Sequence, residues 1–193
     1  VRFLRAARID APREYTDRTT LWNAVEQSEK RRDARTARQM DIALPVEINR
    51  HEQIELMREY IKENFVNHGM CADFVIHDKA DGNPHAHVML TTRRVSAMGF
   101  GKKERGWDKV ERLEAWRRNW ANACNRRLRG KGLDVRIDHR TLEAQGYTRE
   151  PTVHDGWSSE RARLNQEIIK RNEVHKPAAV AEYMNGLREK YRR

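Results

Sequence analysis

The stretch CADFVIHDKADGNPHAHVMLTT, residues 71–92, decides how this chain folds. Its two ends are apolar and carry Val75, Ile76, Val88, Thr91 and Thr92, so residues 71–77 and 85–92 read as strands. Between them DKADGNP, residues 78–84, is made of side chains that accept tight backbone geometry. The two strands therefore form a hairpin. Residues two apart on a strand share a face. His85 and His87 stand side by side, while Ala86 points the other way, into a core. His77 closes the partner strand and reaches the histidine face.

Three neutral imidazoles on one face suit a divalent transition metal, whether Zn, Mn, Co, Ni or Cu. They also leave coordination positions open, as catalytic sites do. The competing account is two surface histidines on an exposed strand and a third in a turn. A third His on a predicted partner strand weighs against it.

Working outward, residues 1–9 read as a short edge strand and residues 20–34 as a helix. Residues 36–45 alternate Met40, Ile42 and Leu44 against Gln39, Asp41 and Ala43, a strand closed by Pro45. Asn49 with Glu52 forms a variant capping box for a helix carrying Ile54, Met57, Tyr60, Ile61 and Phe65, stopped at Gly69. Residues 93–106 read as a basic loop. Residues 108–129 are a long amphipathic helix with Val110, Leu113, Trp116, Trp120, Cys124 and Leu128 on one stripe. Residues 134–137 read as a short strand, and residues 157–193 as helix interrupted near Pro177. A hairpin with helices between other strands favours an α+β fold, with helices on one face of a mainly antiparallel central sheet and further helices at the C-terminus.

Composition narrows the function. The chain has 193 residues, a net charge of +10 and a mean hydropathy of −0.99. No apolar run reaches the length of a membrane span, and no signal peptide is legible at the N-terminus. Two cysteines, Cys71 and Cys124, are too few for a disulfide scaffold, so a reducing, cytoplasmic setting without a membrane partner is expected. Residues 91–140 hold fifteen basic against six acidic side chains and so carry nearly all the excess charge. Such a concentration is what binding a polyanion requires, although a solvated helical face has the same composition.

Residues 77–93, HDKADGNPHAHVMLTTR, resemble the metal-binding motif of plasmid relaxases of the MobA/MobL type, the MOBQ class of the HUH endonuclease superfamily. Residues 21–50, 58–78, 136–146 and 150–156 resemble other segments of that family in the same order, so the likeness covers roughly residues 12–157. It implies an HUH relaxase-like fold, with residues 1–156 as a catalytic domain lacking its N-terminal part and 157–193 as a helical extension. It implies a relaxase of conjugative transfer that nicks and rejoins single-stranded DNA at an origin of transfer through a 5′-phosphotyrosyl link. One divalent ion would be held by His77, His85 and His87: Mn or Mg in the cell, with Zn, Co or Ni as alternatives. Accessory relaxosome proteins and a coupling protein would be partners.

The family carries an acidic residue where Asp41 stands, before IALP. Its neighbours Met40 and Ile42 face away, so Asp41 would face the metal side and either hold a ligand imidazole or take the tyrosine's proton; an ordinary solvent-facing Asp is the alternative. Arg93, Arg94, Lys102, Lys103 and Arg105 are the expected phosphate contacts, and Trp107 the expected stacking surface for a base. The family's nucleophilic tyrosine would lie upstream of Val1. Tyr15, Tyr60, Tyr147, Tyr183 and Tyr191 do not match it. A rolling-circle replication initiator shares the His-x-His chemistry, and a non-catalytic DNA-binding module is the reading if the tyrosine is absent.

Overall fold

A computed structural model describes residues 4–6, 11–78, 83–153 and 158–174. Pro177, Tyr183, Tyr191 and most of the turn after Asp78 lie outside these residues. Four strands form one antiparallel sheet: β1 (Leu4–Ala6), β2 (Ala37–Ala43), β3 (Ala72–His77) and β4 (His85–Thr91), in the order β1-β3-β4-β2. The expected hairpin is β3–β4, with His77 opposite His85. The fold is the expected α+β arrangement.

β4 alternates cleanly. Ala86, Val88 and Leu90 are wholly buried, and His85, His87 and Met89 between them are partly exposed. The buried face meets α2 (Arg50–Asn64) and α3 (Val110–Gly130), whose Met57, Tyr60, Ile61 and Trp116 complete the core with Phe65 and Phe74. Helical spacing put these side chains on one stripe, and burying each stabilises by roughly 1.5–3 kcal/mol. The capping box forms as read: Asn49 accepts from the Glu52 amide and Glu52 accepts from the Asn49 amide. The Tyr60 hydroxyl donates to the Trp116 carbonyl at 3.0 Å, satisfying a buried polar atom and tying α2 to α3. Gly69 follows a short 3-10 turn at φ 103°, a conformation that favours glycine.

α1 (Arg18–Gln27) starts at an Asp17 cap and is shorter than the predicted helix. It packs Leu21 and Val25 against Cys71 and Val95. The chain leaves the helix at Ser28, and Glu29 points into a pair of cations instead of continuing the helical face.

Residues 93–106, read as a loop, form instead a second hairpin of β5 (Arg93–Ser96) and β6 (Gly99–Lys103) with a 3-10 turn at Arg105–Asp108. Arg and Lys obscured its strand pattern; what holds it is Glu29, whose side chain is only 7% exposed. Arg93 gives Glu29 two hydrogen bonds, at 3.0 and 3.2 Å, and Lys103 pairs with it at 3.0 Å.

Residues 134–137 are not a strand. The Asn125 side chain does a strand's work there: its oxygen accepts from the Ile137 amide at 2.8 Å and its nitrogen donates to the Ile137 carbonyl at 2.9 Å.

The chain divides into two compact units, Val1–His139 and Arg140–Arg193, where the sequence placed its division at 156/157. In the second unit α4 (Ser159–Val174) holds an extended segment: Arg171 grips Glu150 through two hydrogen bonds, and Asn165 and Asn172 pair with the backbone of Val153 and Glu150. No described helix is long and apolar enough to cross a membrane.

Candidate metal centre

β3 ends at His77 and β4 begins at His85, so the hairpin delivers both to one end of the sheet, with His87 one pleat further in. The three rings lie edge to face, with centroids 4.7 to 5.7 Å apart. Each offers a ligand atom within 4.8 Å of the others, close enough for one ion.

Two of the rings have their protons fixed. His85 Nδ1 lies 2.8 Å from the Asn83 carbonyl oxygen. His87 Nδ1 lies 2.5 Å from Asp41 Oδ1. A carbonyl or carboxylate oxygen only accepts, so each Nδ1 is the donor, and it is the Nε2 of each ring in its neutral form that has the lone pair a metal would use. Carboxylate or carbonyl partners behind metal-binding histidines orient the ring and raise its basicity. The donor set and these hydrogen bonds fit a divalent ion. The register explains Asp41: β2 pairs Asp41 with His87, and Met40 and Ile42 turn to the core. Asn83 was missed by sequence reading; its place two residues before His85 in a turn was the available signal.

The expected phosphate contacts lie elsewhere. Arg93 follows the opposite end of β4 from His85, roughly 20 Å away at ~3.4 Å per strand residue. Arg93 is held by Glu29 and the Gly101 carbonyl, Lys103 by Glu29 and the Arg35 carbonyl, and Arg94 by Glu104 and the His68 carbonyl. The Arg93 hydrogen bond, reinforced by Lys103, keeps the Glu29 carboxyl below the usual carboxylate range. Lys102 and Arg105 are exposed and make no ion pair among the described residues. Trp107 is 6% exposed and packs in the main core, with the Arg94 guanidinium 5.6 Å from its ring centre. The turn that carries it tucks the indole inward, so it offers no stacking face of the kind the basic loop suggested.

The described tyrosines of the first unit, Tyr15 and Tyr60, each have partners away from the histidine rings. The Tyr15 ring packs 5.2 Å from Phe100 of the second hairpin, and burial raises its hydroxyl above the ordinary phenol value. Tyr60 is committed to the Trp116 carbonyl in the core, and burial pushes its hydroxyl well up. Tyr147 lies in the second compact unit.

Comparison with known proteins agrees with this picture. The sequence profile of the MobA/MobL family matches residues 5–164. A probable conjugal transfer protein TraA of Sinorhizobium fredii is 38% identical over 157 residues, covering 70% of this chain and 14% of that protein. A probable mobilization protein MobA of Bifidobacterium longum is 32% identical, covering 85% of this chain and 38% of that protein. The chain thus spans well under half the length of either relative. A solved structure, described as the molecular basis of vancomycin resistance transfer in Staphylococcus aureus, superposes with a TM-score of 0.68 at 31% identity, over 73% of this chain and 76% of that one. The profile match extends over most of the sequence and takes in β2, the histidine hairpin and both core helices: the chain belongs to the MobA/MobL family.

Proposed function

We propose that this chain is the strand-cutting domain of a plasmid-transfer relaxase, which nicks and rejoins single-stranded DNA at an origin of transfer. The observation that carries the reading is the His77, His85 and His87 cluster with two rings fixed from behind, in a MobA/MobL family chain. A divalent ion, Mn or Mg in the cell, would be held by the three imidazoles and would neutralise and position a phosphodiester anion. Asp41 keeps the His87 ring from turning its ligand nitrogen away, and the Asn83 carbonyl does the same for His85. The nucleophile is a tyrosine preceding Val1. Its oxygen bonds to phosphorus as its proton passes to a base, for which Asp41 is the candidate carboxylate. The bond from phosphorus to the 3′ oxygen breaks, and the 3′ end takes up a proton and leaves as a hydroxyl. Accessory relaxosome proteins and a coupling protein complete the assembly.

The test uses the full-length gene product, manganese and the transfer-origin strand of the plasmid that carries the gene. A covalent protein–DNA adduct should survive denaturation, map by mass spectrometry to a tyrosine before Val1, and vanish with a chelator or with His85→Ala or His87→Ala. An adduct on Tyr15 or Tyr60 overturns the nucleophile assignment. Metal and DNA binding without any adduct leaves a non-catalytic DNA-binding module.

A further inference from the structure

A groove of about 470 Å³ lies between the edge of β2, α3 and residues 137–139. Its volume is in the range of sites that hold small molecules. β2 pairs with β4 on one side and has no strand neighbour on the other among the described residues. Asp41 belongs to both places: it lines the groove and accepts the His87 hydrogen bond. Whatever fills the groove therefore lies directly beside the metal centre.

The walls are of three kinds. Met40, Leu113 and Trp120 give an apolar surface, and Leu113 is 40% exposed although it belongs to the apolar stripe of α3. Gln39 is exposed at the β2 edge; its amide nitrogen makes a long hydrogen bond to Asp41 Oδ1 at 3.4 Å, and the amide still offers its oxygen and a second N–H to the groove. Arg117 places an exposed cation at the α3 side. The third wall is set in advance, because Asn125 clamps Ile137 through both of its backbone polar groups.

We propose that this groove takes one unpaired base of the DNA strand, next to the phosphate held at the histidines, and so contributes to sequence choice. The inference rests on the relaxase reading. An apolar slot with one amide and one cation matches the parts of a nucleotide: a flat apolar ring, an edge of donors and acceptors, and a phosphate. Gln39 reads the base edge, and Arg117 meets the backbone.

The experiment selects bound sequences from a pool of randomised single-stranded 12-mers with the full-length protein in manganese. The unaltered protein should enrich one base at one position. Gln39→Ala should lose that preference at that position alone, by fivefold or more. Arg117→Ala should weaken all sequences alike and lower the salt slope by about 0.7. Manganese titrations of both variants separate a change in the groove from damage to the Asp41–His87 pair. Selection that stays unchanged in Gln39→Ala, with metal binding intact, overturns the proposal while leaving the relaxase reading standing. Failure of the unaltered protein to bind any single strand sinks both.

Discussion

Asp41 on β2 and His87 on β4 stand directly opposite each other in the antiparallel ladder, and the carboxylate accepts the Nδ1 hydrogen at 2.5 Å. The strand pairing that builds the sheet thus also orients one ring of a histidine cluster that could hold a metal. Asp41→Ala should weaken manganese binding by about 10–100-fold, the usual cost of losing such a partner. Titration calorimetry measures it, and circular dichroism should show an unchanged fold because the side chain is 46% exposed. Unchanged affinity would remove Asp41 from the centre.

Trp107 supplies a sharp contrast between core and surface. Its burial in the main core cluster predicts that Trp107→Ala lowers folding stability by about 3–5 kcal/mol. Urea denaturation reads this. A loss under 1 kcal/mol, with weakened DNA binding, would return Trp107 to the surface role.

The remaining exposed cations of the second hairpin should still feel DNA. Lys102 and Arg105 replaced together by Ala should reduce the salt slope of single-strand binding by about 1.4, roughly 0.7 per phosphate contact. Arg93→Ala should instead destabilise the fold by roughly 1.5–3 kcal/mol, since it strips hydrogen bonds from a carboxylate that is 7% exposed. An unaltered slope in the double variant would move the phosphate path off this hairpin.

Glu29 makes the fold sensitive to acid. Its carboxyl is held below the ordinary value of 4.5 by the Arg93 hydrogen bond first. A depressed carboxyl adds stability that is fully present above the unfolded value and is lost as pH falls through the folded one. The melting temperature of the unaltered chain should therefore exceed that of Glu29→Gln at pH 7, and the gap should close below about pH 4.5. Parallel melting curves down to pH 3 would show that Glu29 is not coupled to folding.

The histidine hairpin was legible because its evidence is local: a period of two, a turn made of turn residues, and a third His at the matching end. Asp41 could be placed on the correct face by the same period, and its neighbours Met40 and Ile42 said which way was inward. The second hairpin was not legible, since Arg93 and Lys103 look like solvated charge until Glu29, 64 residues before Arg93, is brought between them. Trp107 failed for a related reason. Its glycine and charged neighbours suggested an exposed loop, and only the tertiary fold turns the indole inward. The Asn125 clamp shows the limit for strands, because a side chain meets the backbone needs of Ile137 without any ladder.

The alternation along β4 has a further effect on how the site can vary. Ala86, Val88 and Leu90 fill the core from one side of the strand, and His85 and His87 project from the other. Sliding β4 by one residue against its neighbours would drive imidazoles into the core and push Val88 and Leu90 into water. A chain that shortened or lengthened the strand by a single residue would lose its histidine cluster and much of its folding energy at the same step. The hydrophobic side of β4 therefore acts as a proofreader for the histidine side. A change of length is compatible with this register only outside β3 and β4 themselves.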